Sequence, residues 1–147
     1  MSVTNDMDLE TVAPAVFGRS LRGVGVNLLC RDVRAVAGFG AQVLGLGVHR
    51  LGDDFALLAH ENMLIQLHSD RSYGAHPLLA LVPEASPRGG AVQLYLFGLD
   101  PDAACARAST AGAMVLEPPT DKPHGLREAT ILSPEGHAFS PTVALPA

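Results

Sequence analysis

Two aspartates 68 residues apart frame this chain. Asp32 and Asp100 each follow a run of alternating apolar residues and precede a helical apolar stripe. Each stripe is closed by a glycine, Gly45 thirteen residues after the first aspartate and Gly112 twelve after the second. An aspartate at that place accepts the free N–H groups of a helix's first turn. A glycine just past the last turn adopts the left-handed backbone that ends it. Agreement of both signals at one spacing predicts an internal duplication, with a period far too long for a solenoid of small repeats.

Each half reads as one strand, one helix and three strands. In the first, Val24, Val26, Leu28 and Cys30 alternate with Gly25, Asn27 and Leu29, a helix occupies 33–44, and strands follow at about 48–51, 54–60 and 62–69. Gly52-Asp53-Asp54 and Glu61-Asn62 supply the turns between those strands. In the second, Val92, Leu94 and Leu96 alternate with Gln93, Tyr95 and Phe97, and Pro101 takes the favoured first helical position. Strands are expected at about 113–117, 126–132 and 137–143, the last two joined by the Pro134-Glu135-Gly136 turn. Residues 1–22 show no sustained period and read as an N-terminal arm. Residues 23–147 then form one domain, with module 1 at about 23–70, a proline-rich linker or flap at 71–90, and module 2 at about 91–143.

Composition excludes several classes. The chain has 147 residues, one domain's length, with 48% hydrophobic and 17% charged residues, enough for a core and too few charges for a disordered chain. Nine arginines and the single Lys122 face fifteen acids, for a net charge of −5. With no Trp and two Tyr, this argues against nucleic acid as a partner. No apolar run reaches the roughly 20 residues of a membrane helix. The N-terminus lacks a basic segment before an apolar run, so a cytoplasmic location is expected. Cys30 and Cys105 lie in apolar stretches with no metal or redox spacing and read as small hydrophobes.

The segments Val26–Val33, Val43–Leu46, Leu94–Leu96, Asp100–Ala104, Ala111–Ala113, Pro118–Glu128 and Ser133–His137, in that order, resemble the vicinal oxygen chelate superfamily. That superfamily holds glyoxalases, bleomycin-resistance proteins and extradiol dioxygenases, and the resemblance is nearest to the bleomycin-resistance members. It implies an α+β fold of two βαβββ modules forming a cupped mixed sheet with helices on the outside, and a homodimer. It also implies metal ligands, usually His or Glu, on the first and last strand of each module. Those positions carry Gly25, Gln66, Gln93 and Ser140 here. Glycine offers no ligand atom, and amides and a hydroxyl are poor donors for a transition metal, so no metal cofactor is expected. A divalent metal is the alternative, with His68 as a ligand outside those positions.

Strand alternation sorts the remaining candidates. Asn27, Gln66, His68, Gln93, Tyr95, Phe97, Ser140 and Thr142 fall on faces opposite the helices, with Leu29 as apolar floor. The plainer alternative is that they coat the wetted side of antiparallel sheets. His124 sits in the Lys122-Pro123-His124-Gly125 loop, where a flat titratable ring can overhang a ligand. Arg127 and Glu128 must point to opposite faces, one of them toward the cavity. His49 and His137, near strand ends, are expected at the surface. The function expected is binding of a small-molecule ligand, a drug or metabolite, without metal. The alternative is a lyase, isomerase or dioxygenase of the same superfamily, for which Glu128 and His124 are the catalytic candidates. A sheet face covered by a partner chain is a third possibility.

Overall fold

A computed structural model describes residues 7–147 apart from Ser86. Its described chain forms two compact units: one runs to Gly38 and resumes over Leu46–Ala80, the other joins Phe39–Gly45 to Leu81–Ala147. Each contains a four-stranded mixed sheet, and together they repeat the β-α-β-β-β order. The fold is α+β with two βαβββ modules.

The first sheet holds β1 (Val26–Cys30), β2 (Gly47–His49), β3 (Phe55–His60) and β4 (Met63–Ser69), after a short helix α1 (Pro14–Ser20). Its order is β1-β4-β3-β2, with β1 parallel to β4 and the other pairs antiparallel. Helix α2 (Val33–Gln42) follows β1, and Asp32 accepts from the Ala35 N–H at 3.0 Å as its cap. Cys30, Val33, Val36, Ala37, Ala56, Leu58 and Leu67 are buried in this unit.

The second sheet repeats the plan with β5 (Gln93–Phe97), β6 (Met114–Asp121), β7 (Leu126–Leu132) and β8 (Ala138–Ala144), in the order β5-β8-β7-β6. Helix α4 (Pro101–Ala111) packs on β6, β7 and β8 through Ala104 and Ala108. Asp100 caps it by accepting from Asp102 and Ala103, and Gly112 ends it at φ 73°. The last residues of α2 belong to this unit, where the rings of Phe39 and Phe139 lie 5.8 Å apart and Arg107 Nε donates to the Val43 carbonyl at 2.9 Å.

Several local expectations change. Val24 and Val92 precede their strands and are exposed. Leu29 lies on the same face as His68 and is buried there together with Leu57. The arm contains α1, and Arg50 donates to the carbonyls of Leu9 and Val12 while its N–H meets Glu10. Within 71–90 lie the end of helix α3 (Asp70–Tyr73) and a 3₁₀ turn at Pro77–Leu81. The end of that segment is fastened: Arg88 N–H donates to the Glu135 carbonyl at 2.9 Å, and the Arg88–Glu135 side-chain pair is buried. His137, expected at the surface, is buried, because its ring meets the Ser133 hydroxyl at 2.8 Å inside the tight turn.

Candidate functional site

In the second unit the ladder register puts Gln93, Tyr95 and Phe97 of β5 beside Ala138, Ser140 and Thr142 of β8, with Glu128 of β7 across from Thr142. Paired residues share a face, so these side chains stand together on the face away from α4. Tyr95 and Phe97, two residues apart, stack with ring centroids 5.3 Å apart and an interplanar angle of 3°. They are 40% and 58% exposed, large aromatic surface open to a ligand.

Glu128 is the unusual member. Its side chain is 6% exposed, and its Oε2 has no hydrogen-bond partner. Tyr95 lies within hydrogen-bonding reach, and His124 Nε2 is 3.8 Å from Oε1. Burial, followed by the negative charge of Glu128, holds the Tyr95 phenol above its ordinary range. Lys122 Nζ sits 2.7 Å from Glu117 Oε1, and that bond raises the ammonium's pKa. A buried carboxylate oxygen without a donor is costly in a finished core; here it stands beside exposed aromatic rings.

The strand pair also decides between Arg127 and Glu128. Arg127 points to the helix side, where Nε and Nη2 grip both oxygens of Asp102 at 2.8 Å and Nη1 meets Asp121 at 2.8 Å. It therefore leaves the set of cavity candidates: it ties β7 to α4. Glu128 takes the other face.

In the first unit, Asn27 and Leu29 pair with Gln66 and His68, and Phe55 lies across from His68. Asn27 Nδ2 donates to the Tyr73 hydroxyl at 2.6 Å, and Asn27 Oδ1 lies 2.6 Å from His68 Nδ1. An amide oxygen only accepts, so this network places the His68 proton on Nδ1 and leaves Nε2 as a lone pair. Burial holds His68 below its ordinary pKa, which favours the neutral ring. The rings of Phe55, His68, Tyr73 and His76 follow one another at centroid distances of 4.9, 5.6 and 4.9 Å. Phe55, Tyr73 and His76 were not among the sequence candidates. Phe55 alternates onto the His68 face and was readable from β3; Tyr73, at the end of α3, and His76 lie on a segment that only the folded chain brings beside β1.

The family's metal positions do not fit a metal here. Gly25 contributes no side-chain donor. Gln93 Nε2 donates to Ser140 Oγ at 2.8 Å, and Ser140 Oγ meets Thr130 Oγ1 at 3.0 Å, so these groups satisfy one another. Among the described residues no three His, Cys, Asp or Glu side chains gather in a metal-binding arrangement. An open depression of about 530 Å³ at the end of the first sheet is charged and lies apart from these residues. Its charges are already paired, Arg34 with Asp53 at 2.7 Å and Arg71 with both oxygens of Asp54. No helix among the described residues is long and apolar enough to cross a membrane.

Comparison with known proteins fits this architecture. The family model of the glyoxalase-like domain matches residues 24–141. The chain belongs to that family. This glyoxalase-like domain, and so the vicinal oxygen chelate superfamily, covers both modules. Solved structures share the fold at low identity. A glyoxalase/bleomycin resistance protein/dioxygenase family enzyme from Burkholderia phytofirmans is 22% identical over 82% of this chain and 96% of its own, with a TM-score of 0.68. A glyoxalase/bleomycin resistance protein/dioxygenase from Nocardioides is 20% identical over 90% and 93%, with a TM-score of 0.64. TioX from a Micromonospora is 23% identical over 86% and 98%, with a TM-score of 0.61. No curated protein matches the chain by sequence.

Proposed function

We propose that this glyoxalase-like domain is a small-molecule binding protein that works without a metal, holding an aromatic drug or metabolite against the polar face of its second sheet. The observation that carries this reading is the stacked, exposed Tyr95–Phe97 pair on the same face as Gln93, Ser140 and Glu128. Flat aromatic surface flanked by a few oriented polar groups is the usual make-up of a ligand site. The mutual hydrogen bonds of Gln93, Ser140 and Thr130 support the metal-free part, since a divalent ion would have to break them for weak donors. Cytoplasmic sequestration by a homodimer belongs to the same proposal, and rests on resemblance to bleomycin-resistance proteins.

The test is a calorimetric panel of aromatic drugs and metabolites against the purified, metal-free protein, followed by Phe97→Ala. Loss of a ring stacked on a ligand removes about 1–3 kcal/mol by analogy with base–aromatic stacking, so affinity falls about fivefold or more. Because Phe97 is more than half exposed, the thermal midpoint stays within about 2 °C. Silence across the panel, or binding only after a divalent metal is restored, defeats the proposal.

A second reading, a metal-free lyase or isomerase, is favoured by one observation in the other unit. His68 carries a free Nε2 lone pair, held by Asn27, in a ring that burial keeps neutral. That is the state a general base needs near neutral pH. Solvent-deuterium exchange into carbonyl compounds, abolished by His68→Gln, distinguishes this reading from binding alone.

A further inference from the structure

The proposed aromatic site contains a group that stacking does not use. Glu128 Oε2 is buried and without a hydrogen-bond partner, in a side chain 6% exposed. The groups around Glu128 leave that oxygen unanswered. Tyr95 is a single O–H donor, and His124 Nε2 stands 3.8 Å from the other oxygen, too far for a hydrogen bond. Lys122 adds positive charge nearby, yet its Nζ is engaged with Glu117 at 2.7 Å. Arg127, next in the chain, is on the opposite side of β7, gripped by Asp102 and Asp121.

We infer that Glu128 is the recognition carboxylate for a ligand that joins a flat aromatic ring to a nitrogen cation, an amidinium or a protonated amine. The inference rests on the reading of the Tyr95–Phe97 face as a ligand site, and adds the charge class to it. A cationic N–H group supplies what Oε2 lacks, a hydrogen-bond donor, and makes that bond a charge-assisted one. The ring attached to it then lies against the electron-rich faces of Tyr95 and Phe97, which also favour a cation close by. A neutral ligand of equal shape gains the stacking and leaves the carboxylate oxygen unanswered. An anionic one meets repulsion from Glu128 and from Glu117 beyond it. The protein's net charge of −5 acts in the same direction at long range.

Benzamidine and benzamide test this directly, since the two are near-isosteric and differ in charge. The wild-type protein is expected to bind benzamidine about tenfold or more tighter, the worth of a charge-assisted hydrogen bond to a buried group. Glu128→Gln brings the two affinities together by weakening benzamidine and leaving benzamide unchanged, whereas Phe97→Ala weakens both alike. Should Glu128→Gln fail to fold, salt decides in the wild type. A buried contact keeps its preference at high ionic strength, while general attraction to an acidic surface is screened away. Equal affinity for the two probes, or a preference erased by salt, overturns cation recognition and leaves the aromatic site standing. Silence from both probes while other aromatics bind also overturns it. Silence from both probes and from the wider panel removes the binding reading as well.

Discussion

Gly89→Ala tests how the segment before β5 is fastened. A Cβ at this position would lie 2.8 Å from the His137 Cα and 3.2 Å from the Gly136 carbonyl oxygen. Carbon atoms in good contact stand about 3.5–4.0 Å apart, so the overlap is close to an ångström and falls on backbone. The turn it meets cannot easily retreat. Ser133 N–H donates to the His137 carbonyl at 2.9 Å, Gly136 N–H to the Ser133 carbonyl at 3.0 Å, and the Ser133 hydroxyl accepts from both Glu135 and His137 N–H groups. The incoming segment must yield instead, and with it the Arg88 N–H to Glu135 carbonyl bond and the buried Arg88–Glu135 pair. Overpacking costs about 1–3 kcal/mol and the lost hydrogen bond about 1 kcal/mol. Reduced freedom of the unfolded chain returns less than about 1 kcal/mol. The net is a loss of about 2 kcal/mol, or a fall in melting temperature of roughly 4–8 °C for a chain of this size. Gly90→Ala is the internal control, because no atom lies within 4 Å of its Cβ position. Thermal unfolding followed by circular dichroism compares the two. If Gly89→Ala and Gly90→Ala melt together, the close approach of the segment to the 133–137 turn is wrong.

The caps give a second prediction: Asp100→Ala and Asp32→Ala each remove an N-cap acceptor and cost about 1 kcal/mol, read as a lower urea midpoint with unchanged slope. The pH response of His68 gives a third. Burial lowers its folded-state pKa below the unfolded value near 6.5, so between those two values the unfolded chain binds more protons and stability falls as pH falls. His68→Gln flattens that slope in urea titrations from neutral to mildly acidic pH, and an unaltered slope counts against the buried neutral ring. Finally, Asn27→Ala removes the acceptor of His68 Nδ1, and long-range ¹⁵N correlation spectra should move from one dominant tautomer to a mixture. A mixture already present in the wild type refutes the assigned hydrogen-bond chain.

The duplicated plan was legible in the chain because it rests on local chemistry. Asp32, Asp100 and Gly112 act through backbone groups within a few residues of themselves, and alternation in β5 and β8 follows from the pleat alone. The choice of Glu128 or Arg127 for the face away from α4 was legible only as a choice. Alternation says that they diverge, and the pairing of Arg127 with Asp102, 25 residues away, decides which way. The burial of His137 was illegible for a related reason, since strand ends are usually wetted and only the folded Ser133–His137 turn encloses the ring.

By itself, then, the sequence determined the two-fold β-α-β-β-β order, the caps that start its helices, the absence of good metal donors at Gly25, Gln66, Gln93 and Ser140, and the pool of polar residues opposite the helices. These follow from spacing and residue type, which act over one or two turns. Tertiary structure alone decided which members of the pool meet. It stacked Tyr95 on Phe97 beside a Glu128 oxygen left without a partner, joined Gln93 to Ser140, and set Tyr73 against Asn27 and His68. Contacts between residues 40 or more apart depend on strand register and on where turns return the chain, and a desolvated carboxylate arises only once the fold has closed around it.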